Sequence, residues 1–260
     1  MTTFVVVHGA GGSAWEWHLV AAELASRGHR AITVDLPCED PAAGLAEYAA
    51  AVVGAVRAAP PVPATDGVVV VAHSLGGFTA PLVCETLAAD GLVLVAALVP
   101  RPGETAGEWW ETSGYEAAAR ERARREGVDA RMDDDDALVA TFMHDVAPPL
   151  AAEALRRGRD QAARPMSDPW PPAAWPDVPT AYLVLEDDRF FPPDFLRRMA
   201  RERLGLEPDA MPGSHAAYLS RPGELADRLV GYARAFGSPG RRGTGARPAG
   251  HAGAAGPPVR

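Results

Sequence analysis

The chain has 260 residues and a formal net charge of -9, with 34 acidic and 25 basic side chains. This length allows one large domain with a substantial core and a modest insertion. The acidic balance argues against nucleic acid or an anionic membrane as a partner. The sequence contains neither lysine nor asparagine, which excludes lysine Schiff-base catalysis and Asn-linked glycosylation.

Cysteine spacing and hydropathy narrow the class of protein further. Cys38 and Cys84 form no CxxC or metal-ligand spacing, so we expect neither a disulfide framework nor a zinc site. The apolar run at residues 4–7 is too short for a signal-peptide core, and no stretch reaches the roughly 18 apolar residues of a membrane span. We therefore expect a soluble cytoplasmic protein, as a monomer or homodimer.

Short β-branched runs alternate with longer alanine-rich segments along most of the chain. The runs predict strands, at residues 4–7, 31–34, 68–72, 92–97, 180–185 and 207–211. The longer segments predict helices, at residues 15–27, 42–58, 75–88, 193–204 and 222–236. Since this alternation is typical of α/β proteins, we predict a doubly wound, mostly parallel sheet with helices on both faces.

The alternation fails between residues 100 and 179, a segment too long for an ordinary loop. We expect this insertion to form a helical cap at residues 101–178 between two parts of the core, residues 1–100 and 179–236. The remaining residues, 237–260, are rich in Gly, Pro, Arg and Ala and have little to bury. We expect this tail to be disordered and to carry no chemistry.

The predicted cap is rich in aromatic side chains, which are candidates to line a pocket over the core. The candidates are Trp109, Trp110, Phe142 and Trp170, with Tyr115 and Trp175 beside them. Each of these side chains could instead pack the cap onto the core. In the same segment, the acidic run at residues 133–136 predicts a solvated helix start rather than a metal site, and His144 and Asp145 predict a local hydrogen-bonded pair.

The most informative stretch is residues 67–77, where an apolar run stops at Ser74 between small residues. This pattern predicts a buried strand, a sharp turn and a helix that begins at once, with the Ser74 hydroxyl presented at the edge of the sheet. Ala72 stands where the Gly-x-Ser-x-Gly pattern usually has glycine, and one extra methyl group is tolerable there. The alternative is a tightly packed turn without chemistry.

A serine nucleophile needs a base, and the base needs an acidic group to fix its tautomer and stabilise its charge. Both partners follow Ser74 in the chain. The predicted strand at residues 180–185 ends in Glu186, Asp187 and Asp188, and His215 lies in the later Gly-Ser-His loop. The carboxyl ends of parallel strands share one edge of a sheet, where ligand sites form. The order nucleophile, acid, base is the one expected on a doubly wound sheet.

Four segments together resemble the α/β hydrolases, and in particular the plant-type methylesterase and hydroxynitrile lyase branch with its bacterial relatives. They are FVVVHGAGG at residues 4–12 followed by Trp15 and Trp17, AHSLGG at 72–77, EDDRFFP at 186–192, and PGSH at 212–215. The resemblance covers the core, whereas the cap matches only in position and length. It implies an α/β-hydrolase fold with an inserted helical cap.

The resemblance also implies residue roles. Ser74 would be the nucleophile, His215 the base and Asp188 the acid, because the family's acid usually stands four positions before a proline, here Pro192. Asp187 stays open as the alternative acid.

The backbone N–H groups of Ala10 and Leu75 would form the oxyanion hole. This mechanism needs no metal and no cofactor. Because Ala216 stands where the hydroxynitrile lyases typically have a lysine, cyanohydrin cleavage is disfavoured. We predict hydrolysis of a small-molecule carboxylic ester with a small or medium apolar or aromatic group. The alternatives are a specialised biosynthetic enzyme on the same triad, such as a lyase, thioesterase or cyclase, and a ligand-binding module with a vestigial triad.

Overall fold

A computed structural model describes residues 1–63 and 66–237 of the chain. The tail that we expect to be disordered lies outside the described residues from residue 238 onward. No helix within the described ranges is both long and apolar enough to cross a bilayer.

The described residues form six parallel strands in one sheet, confirming the predicted fold class. The strands are β1 (Thr2–Val7), β2 (Arg30–Thr33), β3 (Gly67–His73), β4 (Gly91–Val95), β5 (Thr180–Leu185) and β6 (Asp209–Met211). Their order is β2-β1-β3-β4-β5-β6. The chain therefore reverses its direction of travel across the sheet between β1 and β3, which is where ligand sites form in doubly wound sheets.

Helices connect each strand to the next, and further helices follow the last strand. They are α1 (His18–Ser26), α2 (Leu45–Ala58), α3 (Ala80–Val83), α4 (Ala106–Thr112), α5 (Tyr115–Glu126), α6 (Asp135–Phe142), α7 (Pro148–Arg156), α8 (Arg164–Ser167), α9 (Pro193–Leu204), α10 (Ala217–Ser220) and α11 (Pro222–Phe236). Five of them, α4 to α8, lie between β4 and β5, within the segment predicted as a cap. The exact bounds of cap and core stay a prediction.

The predicted helix at residues 75–88 is wrong in length. The chain forms a 3-10 turn at Ser74–Phe78, followed by α3 with only four residues. A Cβ on Gly76 would lie 2.6 Å from the carbonyl oxygen of Val7, and a Cβ on Gly77 would overlap that of Leu98. The two glycines thus allow the turn to pack closely against neighbouring backbone. Glycine also disfavours regular helix, so the helix does not form at once.

Several other element ends differ from their predictions by one to three residues, as two cases show. The predicted helix at residues 15–27 begins as a 3-10 turn, Ala14–Trp17, before α1. The predicted strand at residues 92–97 ends at Val95, because Ala96 has a positive φ of 43° that breaks the extended backbone.

The acidic run at residues 133–136 starts a helix, as predicted. Asp134 caps α6 by accepting a hydrogen bond from the backbone N–H of Ala137 at 2.7 Å. The predicted His144–Asp145 pair is wrong, because each side chain bonds elsewhere. His144 Nε2 donates to the Asp187 carbonyl at 2.8 Å, and Asp145 accepts from the backbone N–H of Ser214 at 3.0 Å.

A buried ion pair attaches the segment before α4 to the core helix α9. Glu104 and Arg203 face each other with side chains that are 9% and 4% exposed. Burial alone would raise the pKa of Glu104, but hydrogen bonds from Arg203 and its neighbours hold that pKa below its usual value. The start of the inserted segment is thus held to α9 by a buried ion pair.

Candidate active site

Ser74 directly follows β3 in a strained backbone conformation. Its φ is +51°, a region that non-glycine residues rarely adopt. The loop after β1 approaches so closely that a Cβ on Gly9 would lie 2.9 Å from the Cβ of Ser74. Strain at one residue and a required glycine at another are typical of a nucleophile elbow, in which a sharp turn presents one side chain.

Ala72, the departure from the usual motif, is fully buried within β3. The structure accommodates its methyl group two residues before Ser74. The closest backbone approaches of the elbow fall instead at Gly76 and Gly77. This packing is consistent with the prediction that alanine is tolerated at position 72.

His215 and Asp188 form a buried pair. The Nδ1 of His215 lies 2.7 Å from Oδ2 of Asp188, and the two side chains are 6% and 0% exposed. The other carboxylate oxygen accepts hydrogen bonds from the backbone N–H groups of Phe190 at 2.8 Å and Phe191 at 3.0 Å. Three hydrogen-bond donors therefore surround the buried carboxyl group of Asp188 and fix its orientation toward His215.

Asp187, the alternative acid, points elsewhere. It is exposed, and its Oδ2 accepts a hydrogen bond from the backbone N–H of Gly213 at 2.8 Å. This hydrogen bond holds the loop that carries His215. Among the described residues, Asp187 makes no hydrogen bond to the His215 imidazole. Of the two candidate acids, the structure brings Asp188 to His215.

His73 contacts the backbone of His215. Its Nε2 lies 3.1 Å from the carbonyl oxygen of His215, and because a carbonyl can only accept, this nitrogen carries the proton. Burial, with the nearby His215 imidazole, holds the pKa of His73 well below its usual value, so the ring is neutral. Its Nδ1 has no hydrogen-bond partner among the described residues.

Ser74 and His215 line the same cavity, of about 490 Å³, which we call the Ser74 cavity. Ala10 and Leu75, the predicted oxyanion-hole residues, line it as well. Leu75 lies in the first turn of a 3-10 segment, where backbone N–H groups lack an acceptor within the helix. The structure thus brings together all five sequence-predicted chemical groups, including Asp188 behind His215, at the carboxyl ends of β1, β3, β5 and β6.

The predicted pocket aromatics divide into two groups. Trp110 and Phe142 line the Ser74 cavity. Trp109 does not, because it is fully buried against Phe191 and Phe195.

Trp170 is likewise buried away from the cavity, and its Nε1 donates to the carbonyl of Phe78 at 3.1 Å. Tyr115 and Trp175 also donate to backbone carbonyls, of Phe190 and Pro100. For these side chains the alternative interpretation, packing of the inserted segment onto the core, is the correct one.

Sequence reasoning missed most of the apolar wall. The missed side chains are Leu98, Met132, Leu138, Met143, Leu155, Met166 and Phe190. The spacing of Leu138 and Phe142 along α6 puts them on one helical face, so this pair could have been found. The methionines give no such signal, since they lie on different short segments. Three polar side chains of the lining, Glu16, Asp135 and Tyr218, were also missed.

A second depression, of about 550 Å³, lies between α5 and α9. Its lining is rich in charged side chains such as Arg122 and Glu186, and it contains none of the predicted site residues. We therefore place the candidate active site in the Ser74 cavity.

Comparison with known proteins supports the same fold. Residues 4–228 match the alpha/beta hydrolase family. The probable esterase PIR7A of Oryza sativa subsp. indica is 29% identical over 261 residues, covering 87% of this chain and 95% of the rice protein.

Two solved structures have a similar fold. Polyneuridine aldehyde esterase superimposes with a TM-score of 0.71 at 19% identity, over 89% of this chain and 98% of that one. A pyrethroid hydrolase from Sphingobium faniae JZ-2 gives 0.68 at 21% identity, over 90% and 98%. The rice relative is named a probable esterase, in agreement with the plant-type branch that the sequence motifs resemble. Since the family match covers residues 4–228, most of the 260-residue chain, this chain belongs to the alpha/beta hydrolase family.

Proposed function

We propose that the protein hydrolyses carboxylic esters of small or medium apolar or aromatic compounds through an acyl-enzyme on Ser74. The observation that carries the proposal is the buried contact of 2.7 Å between His215 Nδ1 and Asp188 Oδ2, beside a cavity that Ser74 shares. The rice relative, itself named a probable esterase, supports the same reaction type.

The contact between His215 and Asp188 sets the tautomer of the base. A carboxylate can only accept, so Nδ1 of His215 carries the proton and Nε2 keeps its lone pair. This leaves Nε2 able to take a proton from the Ser74 hydroxyl. Asp188 then stabilises the imidazolium that forms.

The reaction would proceed in two balanced steps. In the first, Ser74 Oγ attacks the ester carbonyl while its proton passes to His215, and the bond to the alcohol breaks as His215 returns that proton to the leaving oxygen. In the second, water attacks the acyl-enzyme by the same route and releases the acid. The N–H groups of Ala10 and Leu75 would stabilise the oxyanion in both steps, each contributing about 10² to 10³ in rate.

The wall of the Ser74 cavity supports the proposed substrate class. Its lining is dominated by aromatic and aliphatic side chains, with Trp110, Phe142 and Phe190 among them. Apolar walls with a few polar groups are typical of small-molecule sites. An acyl or alcohol group of modest size with a largely apolar surface fits this wall.

A serine-directed probe tests the proposal. A fluorophosphonate should label the wild-type protein at Ser74, and peptide mapping should find the label there. A panel of 4-nitrophenyl esters should be hydrolysed by the wild type, with turnover about 10⁴-fold lower or more in Ser74→Ala. Ser26→Ala, which alters an exposed serine on α1, is the matched control. No turnover above the Ser74→Ala background, together with no label at residue 74, would refute the proposed esterase.

A further inference from the structure

Glu16 places a carboxyl group in the largely apolar wall of the Ser74 cavity. Glu16, between Trp15 and Trp17 in the 3-10 turn Ala14–Trp17, lines this cavity together with Ser74 and His215. Burial raises the pKa of Glu16 to about 7, against the opposing effect of hydrogen bonds from the Ser13 backbone and the Tyr218 side chain. Near neutral pH the group is therefore partly ionised in a site of low polarity.

No arginine lines the Ser74 cavity in the part of the chain that the structure describes. Arg157 lies over the ring of Trp15, 4.9 Å from its centroid, and pairs with Glu153. Arg159, whose backbone N–H donates to the Gly11 carbonyl at 3.0 Å, turns its guanidinium to Glu39 at 3.1 Å. The arginines close to this turn in the fold thus serve other carboxylates.

His8, which directly precedes the cavity-lining residue Gly9, is a neutral imidazole. Its Nε2 accepts from the backbone N–H of Leu36 at 3.1 Å, which leaves Nδ1 to donate to the Gly9 carbonyl at 2.8 Å. Burial also lowers the pKa of His8. A negative charge on Glu16 is therefore met by neutral donors, and a desolvated charge without a counter-ion favours a cationic ligand.

Glu16 also has a structural role, distinct from binding a cationic ligand. It follows Ser13 by three residues and accepts from that residue's backbone N–H, as in the N-terminal cap of a helix. Capping needs an acceptor but no charge, and glutamine would serve equally. A carboxylate has about four acceptor sites, so the cap and Tyr218 leave it able to contact a further group.

We propose that Glu16 determines substrate specificity by pairing with a positively charged nitrogen, so that esters carrying an ammonium group are preferred. The proposal rests on the esterase function proposed above and names its substrate class. The aromatic side chains around the cavity, Trp110 and Phe142 among them, would add attraction between the cation and their ring faces. Asp135 also lies at this cavity, but its side chain is exposed and water screens its charge, so it is not part of the proposed site.

A pair of isosteric esters isolates the effect of charge. In 4-nitrophenyl 5-(trimethylammonio)pentanoate and 4-nitrophenyl 6,6-dimethylheptanoate, a trimethylammonium group replaces a tert-butyl group of the same shape. The ratio of their kcat/KM values, followed through homologues with shorter and longer chains, reports the preference for a cation. We expect the wild type to favour the cationic ester and Glu16→Gln to lower this ratio about tenfold or more, mainly through KM.

Two further variants separate charge at this position from folding and from general acidity. Glu16→Asp keeps the charge and should retain the preference in direction, which a purely structural role for the side chain does not predict. Asp135→Asn removes the other carboxylate of the lining and should keep the wild-type ratio. An equal ratio in wild type and Glu16→Gln would overturn the proposal while leaving the esterase function intact.

Absence of hydrolysis of both esters would count against the esterase function. A binding measurement tests the cation site even in that case. Benzyltrimethylammonium should bind Ser74→Ala protein, with an affinity that falls about tenfold or more when Glu16→Gln is added. Calorimetry measures this directly. Undetectable binding, or an affinity that Glu16→Gln does not change, would overturn the cation site.

Discussion

The substitution Asp188→Asn separates the two candidate acids, because the structure gives them different partners. Asp188 accepts three hydrogen bonds, from His215 Nδ1 at 2.7 Å and from the backbone N–H groups of Phe190 and Phe191. An asparagine can keep its oxygen toward the two backbone donors, but then its amide N–H₂ faces His215. The imidazole must take the other tautomer, with its proton on Nε2, and can no longer act as the base.

The expected cost is large for turnover and modest for stability. Loss of the correct tautomer should lower kcat about 10⁴-fold, whereas replacement of a charge-assisted hydrogen bond by a neutral one should lower the free energy of unfolding by only about 1–2 kcal/mol. Single-turnover hydrolysis of a 4-nitrophenyl ester and urea unfolding measure the two quantities separately. In the control Asp187→Asn, kcat should stay within about tenfold of the wild type, since that carboxylate serves only the Gly213 backbone in the hydrogen bonds described. A large loss in Asp187→Asn with little change in Asp188→Asn would refute the assignment.

Three further predictions concern the elbow and the ion pair of the inserted segment. Ser74→Gly should raise the free energy of unfolding by about 1 kcal/mol relative to Ser74→Ala, which keeps the strained φ of +51°; equal urea midpoints would show that the elbow stores no strain. Gly77→Ala should destabilise by about 3 kcal/mol because its Cβ overlaps a backbone carbonyl, whereas Gly54→Ala, with nothing within 4 Å, should stabilise by about 0.5–1 kcal/mol. The depressed pKa of Glu104 contributes stability above its usual value of 4.5, which is lost as pH falls through the lower folded-state value. Glu104→Gln should therefore flatten the fall of the unfolding free energy below about pH 4.5, and an unchanged slope would contradict this role for the pair with Arg203.

Three elements were predictable to the residue, and the two helices among them have proline at the start and glycine after the end. The strand Thr180–Leu185 and the helices Pro193–Leu204 and Pro222–Phe236 match their sequence predictions at both ends. Each of these helices begins at a proline, which is tolerated in the first turn, and is followed by glycine at residue 205 or 237. Local sequence determines such boundaries, so no knowledge of the tertiary structure is needed.

Boundaries that depend on distant contacts were not predictable in this way. The helix after Ser74 is short because Gly76 and Gly77 press against the loop after β1 and the chain after β4, which only the assembled sheet reveals. The same holds for the tryptophans of the inserted segment. Trp109 and Trp110 are adjacent in sequence, yet one is fully buried and the other lines the Ser74 cavity, because successive helical positions point about 100° apart.

The chemical groups were easier to find than the pocket, for a physical reason. A nucleophile, a base and an acid must each follow a strand at one edge of the sheet, and the chain order of the strands fixes where to look. The wall has no such constraint, since any apolar side chain of the right size will serve. Glu16 shows the consequence.

As a helix-capping residue between two tryptophans, Glu16 gives no sign in the sequence that it faces the cavity. Two carboxyl groups with different surroundings then share the candidate site. Three donors surround Asp188, whereas burial dominates at Glu16 and raises its pKa to about 7. Environments that differ in this way are how one site gives separate roles to groups of the same chemical type. In this site the fully bonded carboxylate would serve the base, and the under-compensated one would serve the substrate.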